Sequence, residues 1–307
     1  MLFKAITTIL ILFNPIGFLV ADTVEPIVRE SITPIEKWGQ SLASALGVAN
    51  PNFLPIRDWE IEDPEIEAKA ALIFNLDKNK VLYQQESSRI LPIASLTKVM
   101  TALIVLENLE LDRVVIISEE ALSAYGTTGR LRINEKLTVK DLLHALLMES
   151  SNDAAMALAE EVELETGQSF VSLMNQKVNQ LGLTSTRFSD PTGYRATNIS
   201  TVEEIVRIVR HSLDQPVIWK IMKTPDIDIS SADGKVRHHW VNTDELLNRM
   251  PNIIGGKTGY TNEAQGCLVI VFEHSKGEKL ITVVLGAQER FLETEKLINW
   301  VERAYQW

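Results

Sequence analysis

Strand-like runs stand at both ends of the folding part of this chain, and the long middle between them reads mainly as helix. At the front, residues 70–74, the turn-like Asp77-Lys78-Asn79 and the run Val81-Leu82-Tyr83 make a hairpin pattern. At the back, Ile253-Ile254, residues 268–272 and residues 280–285 follow Pro251, the last two runs joined by a loop containing Lys276-Gly277. Segments this far apart can share a core only by meeting in one antiparallel sheet. The expected architecture is therefore α+β: an antiparallel sheet flanked by helices, plus a helical subdomain built from the middle.

The middle carries its own start and stop signals. Pro92 precedes the apolar pattern of Val99, Met100, Leu103, Ile104 and Leu106, so a helix should open near Ser95. Thr138 with Asp141 makes a capping-box-like start ahead of the stripe Leu142, Leu143, Leu146 and Leu147. Asp153 starts a further run over residues 154–162. Helices are also expected over residues 169–181, ended by Gly182, and over residues 201–212 behind a Ser200/Glu203 cap. Residues 290–305 read as an amphipathic helix closing the chain.

With 45% hydrophobic and 23% charged residues among 307, the chain has ample material for a large core. Its net charge of -11 offers no basic face to phosphates, which excludes nucleic acid as the partner. The single cysteine, Cys267, rules out an internal disulfide framework, and its place beside the run Leu268-Val269-Ile270-Val271-Phe272 predicts a buried, inert thiol.

Lys4 and the apolar residues 5–20 look like a secretory signal ending at Ala21, although the run is long for a signal, short for a span and interrupted by Pro15. Residues 1–21 are thus a removed signal peptide or a retained anchor, with a membrane tether through residues 5–20 in the second case. Both readings put the rest of the chain on the extracytoplasmic side. Residues 22–64, acidic and punctuated by Pro26, Pro34, Pro51, Pro55 and Pro64, read as a spacer with one helical stretch over residues 35–46. Residues 65–307 are left as the folded domain.

Three short strings carry the chemistry: Ser95-Leu96-Thr97-Lys98, Ser150-Ser151-Asn152 and Lys257-Thr258-Gly259. Residues three apart on a helix share a face, so Lys98 can reach the Ser95 hydroxyl. A lysine serves as a base only when burial or nearby positive charge frees its lone pair, and Lys257 on an adjacent strand can supply that charge. A helix start at Ser95 aims its backbone N–H at a forming oxyanion, and Tyr260 can contribute a second N–H. Ser150 and Asn152, at a joint between helices, offer a hydroxyl to relay a proton and an amide to hold a peptide carbonyl. Lys257 and Thr258 can bind a carboxylate, while Gly259 lets substrate backbone approach closely. The pattern points to acyl transfer through a serine.

From about Ala68 onward the chain resembles the transpeptidase-like domain of D-alanyl-D-alanine carboxypeptidases, the low-molecular-weight penicillin-binding proteins. Besides the three strings, Pro92-Ile93-Ala94, Asn152-Asp153-Ala154-Ala155, Asp190-Pro191-Thr192-Gly193 and Gly256-Lys257-Thr258-Gly259-Tyr260-Thr261 carry the likeness. The resemblance implies a β-lactamase/transpeptidase-like fold, Ser95 as acylated nucleophile, Lys98 as its base, Ser150 and Asn152 as cleft wall, and Lys257 with Thr258 as the dock for a terminal carboxylate. It also implies peptidoglycan stem peptides as substrate, β-lactam antibiotics as covalent inhibitors, and no cofactor. Two departures stand out: Ala264-Gln265-Gly266 where Ala-Gly is usual, and Asn242-Thr243-Asp244 where Asn-Thr-Asn is common.

The same motifs serve a DD-endopeptidase that cuts cross-links, a serine β-lactamase and a penicillin-binding sensor without turnover. A β-lactamase needs a positioned glutamate between the second and third motifs, and no E-x-x-L-N string occurs there. Glu160, Glu161, Glu163 and Glu165 read instead as the solvated face of a helix. His144, His211, His238, His239 and His274 lack metal-ligand spacing, so no metal site is expected.

Overall fold

The expected hairpin forms strands β1 (Ala70–Asn75) and β2 (Lys80–Gln85), and the C-terminal runs form β3 (Ile253–Thr261), β4 (Gln265–Glu273) and β5 (Lys279–Ala287). All five join one antiparallel sheet in the order β3-β4-β5-β1-β2. The fold is described for residues 54–307 of a computed structural model.

Alternate residues of these strands enter two different cores. Leu72, Val269, Val271, Ile281 and Val283 face the helices of the middle segment. Ala71, Ile73, Leu268, Ile270, Phe272 and Leu280 face the C-terminal helix. With both faces of the sheet covered, the strands read as unbroken apolar runs instead of alternating ones.

Among the described residues, the helices longer than one turn are α1 (Thr97–Asn108), α2 (Val139–Leu147), α3 (Asn152–Thr166), α4 (Phe170–Gln180), α5 (Val202–Ser212), α6 (Pro216–Met222) and α7 (Arg290–Ala304). Helix α1 is buried without a break from Thr97 to Val105 and forms the spine of the helical layer. Its apolar residues go all the way round, as a helix enclosed by others requires.

The expected capping box is present on α2, with Thr138 Oγ1 accepting from Asp141 N at 3.1 Å and Asp141 Oδ2 accepting from Thr138 N at 3.1 Å. The cap of α5 lies one residue later than the sequence suggested. Thr201, not Ser200, accepts from Glu204 N at 3.1 Å. The Glu204 carboxylate turns away to accept from Thr184 N at 2.8 Å and Ser185 N at 3.0 Å, tying the α4–α5 connection to the helix start.

The acidic run on α3 is only in part the solvated face expected, with Glu163 and Glu165 exposed and Glu160 and Glu161 half-buried. Glu161 and Glu165 bind Arg113, Glu160 accepts from Ser118 Oγ at 2.6 Å, and Glu163 accepts from Phe170 N at 2.7 Å. These carboxylates fasten α3 to its neighbours rather than simply facing water.

The folded part extends ahead of residue 65. Ile56–Arg57 pairs antiparallel with Tyr305–Gln306, Pro55 O accepts from Lys80 Nζ at 3.0 Å, and Glu62 O accepts from Trp300 Nε1 at 2.8 Å. The Arg57 guanidinium lies 4.8 Å from the Trp300 ring centroid, a cation–π contact. Main-chain pairing and one arginine hold this stretch, which is why its proline-rich composition reads as a spacer. The signal or anchor over residues 1–21 and the helical stretch over residues 35–46 lie outside the described residues. No helix of the described residues is long and apolar enough to cross a membrane.

Candidate active site

Ser95 lies in a single 3-10 turn, Ala94–Leu96, that runs directly into α1. One turn on, Lys98 is fully buried, and three oxygens surround its amine: Asn152 Oδ1 at 2.6 Å, Thr192 O at 2.7 Å and Ser95 Oγ at 3.0 Å. A carbonyl or amide oxygen can only accept. A neutral amine therefore donates its two hydrogens to Asn152 and Thr192, and its lone pair is left for the Ser95 hydroxyl proton. Burial holds Lys98 well below the ordinary lysine range, and the positive charge of Lys257 adds to this against the opposing pull of Asp190 and Asp153. The arrangement is that of a serine beside an amine whose surroundings favour its neutral form.

Ser150 and Asn152 occupy the joint between α2 and α3. Ser150 takes a left-handed backbone with φ of 62°, Ser151 caps α3 by accepting from Ala154 N at 3.0 Å, and Asn152 is the first helical residue. The Asn152 amide nitrogen donates to Tyr125 O, so its oxygen is committed to Lys98. The loop that brings Tyr125 is pinned by Gly129, whose N–H donates to Asp153 Oδ1 at 2.8 Å and whose carbonyl accepts from Trp240 Nε1 at 3.2 Å.

Lys257 pairs across the ladder with Val269, which places its side chain on the helical face of the sheet. Its amine donates to Ser150 Oγ at 2.9 Å and Thr258 O at 3.0 Å. Burial first, and then repulsion from Arg290, pushes it down to about 7, with Asp244 pulling the other way. The Thr258 hydroxyl meets the hydroxyl of Thr243 at 2.7 Å.

Two glycines let these pieces close up. A Cβ on Gly259 would stand 3.0 Å from Ser95 N, so the backbone of the serine turn approaches this strand. Gly193 has φ of 81°, and a Cβ there would stand 2.0 Å from Ala94 O. Gly193→Ala must push the Ala94–Ser95 turn aside. We expect it to slow acylation by a β-lactam about 100-fold, the scale set by a misplacement of about 1 Å; a wild-type rate would show that the two loops part without consequence.

A cleft of about 370 Å³ opens on the serine, lined by Ser95, Asn152 and Tyr260 together with Thr127, Tyr194 and Glu263. At its mouth the rings of Tyr125 and Tyr194 stack with centroids 6.2 Å apart. Of the residues chosen from sequence, Lys98, Ser150, Lys257 and Thr258 are buried, with Ser150 joined to Lys257. Sequence reasoning missed Thr192, whose contribution is a carbonyl, and Asp190, whose Oδ1 accepts from Thr192 N at 2.8 Å and Gly193 N at 2.7 Å to shape that turn. The Asp-Pro and Gly of this string are turn signals, but nothing in the string shows that its carbonyl meets a lysine.

Comparison with known proteins agrees with this geometry. The sequence pattern of D-alanyl-D-alanine carboxypeptidases matches residues 58–289. A D-alanyl-D-alanine endopeptidase of Pseudomonas aeruginosa is 32% identical over 269 residues, covering 85% of this chain and 84% of that protein. A D-alanyl-D-alanine carboxypeptidase of Bacillus subtilis, DacF, is 34% identical over 250 residues, covering 78% of this chain and 63% of that one. Among solved structures, a D-alanyl-D-alanine carboxypeptidase from Mycobacterium tuberculosis superposes with a TM-score of 0.72 at 30% identity, over 80% of this chain and 94% of that chain. Five antiparallel strands, a serine beside a buried lysine, and a family pattern that runs through all three motifs lead to one conclusion: the chain belongs to the D-alanyl-D-alanine carboxypeptidase family of serine peptidases.

Proposed function

We propose that this protein is a serine-type D-Ala-D-Ala carboxypeptidase that trims peptidoglycan stem peptides through an acyl-enzyme on Ser95. The observation that carries the reading is the Lys98 amine, fully buried and 3.0 Å from Ser95 Oγ, with Asn152 Oδ1 and Thr192 O as its two other partners. Lys98 takes the hydroxyl proton as Oγ attacks the carbonyl of the penultimate D-alanine, and the Ser95 N–H helps hold the oxyanion. The bond to the terminal D-alanine breaks, and its amine takes the proton that Lys98 accepted from Ser95, relayed through Ser150. Water then hydrolyses the ester and restores the serine.

Lys257 is 1% exposed, so its charge draws the substrate's terminal carboxylate from behind Ser150 and Thr258. For Lys257→Ala we expect kcat/KM to fall about 10- to 100-fold on peptides ending in a free carboxylate, the worth of a hydrogen bond to a charged group, and far less on the same peptides as amides. Equal losses on both would assign Lys257 to general electrostatics.

A β-lactam, which presents a carboxylate and a strained amide, should acylate the same serine. The N-terminal segment supports an extracytoplasmic enzyme, exported by a signal or held by an anchor. Endopeptidase action is the second reading, favoured by the Pseudomonas aeruginosa relative. The two separate in a digest of purified peptidoglycan followed by mass analysis. Free D-alanine and shortened monomers are expected for a carboxypeptidase, whereas loss of cross-linked dimers without free D-alanine would replace that reading with the endopeptidase.

A further inference from the structure

Behind strand β3, on the side away from the cleft, lies a carboxylate that the mechanism above does not use. Asp244 is 2% exposed, and its Oδ1 accepts from Leu246 N at 3.0 Å, while Oδ2 is buried with no protein hydrogen-bond partner. A buried oxygen of this kind is costly unless it does something. The strand is shaped to receive it. Gly256 pairs with Ile270 and so faces away from the cleft, and a Cβ there would stand 2.7 Å from Asp244 Oδ2 and 2.3 Å from Ile270 Cδ1. Only glycine lets the carboxylate come up against the strand one residue from Lys257.

Arg290, the first residue of α7, lies on this same side, its Cβ 3.1 Å from where a Cβ on Gly266 would stand, and its Nε is likewise buried and unpartnered. Two opposite charges thus sit behind the strand that carries Lys257. On the cleft side Lys257 faces Lys98 and the neutral Ser150; behind it are Asp244 and Arg290. Asp244 in turn faces Lys257, Arg290 and Glu245, the last of which is paired with Arg249 at 2.8 Å.

We propose that Asp244 is a positioning residue for the reaction: from behind β3 its carboxylate holds Lys257 as an ammonium while Arg290 opposes it, and together they set the pH at which the substrate's carboxylate loses its cationic partner. This rests on the reading of Lys257 as that partner. Burial pushes Asp244 up to about 6 and Lys257 down to about 7, so the two titrations overlap and Asp244 is mostly ionised where Lys257 is half deprotonated.

The test is the pH profile of kcat/KM for the full chain on a D-Ala-D-Ala peptide, measured as the free acid and as the amide. Asp244→Asn keeps the side-chain size and the Oδ1 acceptor but removes the negative charge. We expect its falling limb to move to lower pH by about one unit, and that of Arg290→Gln to move to higher pH by a similar amount. A residue acting only in packing would not shift the two variants in opposite directions. Superimposable limbs, shifts of the same sign, or a loss uniform across pH would overturn the proposal. If Asp244→Asn does not fold, Arg290→Gln decides alone: an upward shift supports the coupling and an unmoved limb refutes it. Failure of the underlying reading looks different, since the wild-type falling limb would then be the same for acid and amide peptides.

Discussion

Ser95→Ala is expected to abolish both peptide turnover and covalent labelling by a fluorescent penicillin while leaving the fold intact. Only one hydroxyl is lost, from a turn held by backbone contacts: Leu96 N donates to Ile93 O at 3.2 Å and Ile93 N donates to Asn198 O at 3.1 Å. The Gly193 and Gly259 approaches involve main-chain atoms, Ala94 and the Thr97 hydroxyl, and do not require the serine side chain. An unchanged melting temperature with no adduct is the expected pair of results. Retained labelling would move the nucleophile elsewhere.

Lys98→Ala is expected to slow acylation by about 10²–10⁴-fold, the usual worth of a general base. It also leaves Asn152 Oδ1 and Thr192 O without their donor in a buried site, so a fall in stability of about 1–3 kcal/mol should accompany the kinetic loss. Stopped-flow acylation at several pH values checks the assignment. Because Lys98 is held below the ordinary lysine range and reacts as the free amine, the wild-type rate should rise as pH climbs through its value. Lys257 acts as the ammonium, so the rate on carboxylate substrates should fall again as pH passes about 7. The variant should lose the rising limb. An unchanged acylation rate would show that the base lies elsewhere.

The parts of this molecule legible in the sequence are those where one residue type has one physical consequence. The capping box at Thr138 and Asp141, the span of α4 ahead of Gly182, and the strand runs at both ends of the domain all depend on local chemistry, whereas α3 runs four residues past its expected end, to Thr166. The pairing of Ser95 with Lys98 is local too, and follows from helical spacing alone. What was not legible depends on which segment arrives from elsewhere. The Lys98 amine finds a carbonyl 94 positions away at Thr192, and Gly259 makes room for the turn of Ser95. The acidic run on α3 has the composition of a solvated face, yet Arg113, Ser118 and the N–H of Phe170 come from other segments to meet it. In the same way, backbone pairing of Ile56–Arg57 with the last residues of the domain leaves no mark in hydrophobic periodicity.

The central claim is an acyl-enzyme on Ser95, and the most direct measurement is the mass of the protein after incubation with a penicillin, followed by proteolysis to locate the adduct. The account predicts one added penicilloyl group per chain, on the peptide that contains Ser95. It also predicts that the adduct outlasts many turnovers of the peptide reaction, because no E-x-x-L-N string between the second and third motifs brings a glutamate to activate a deacylating water. Rapid hydrolysis of the drug with no trapped adduct, or an adduct on any other residue, would contradict it.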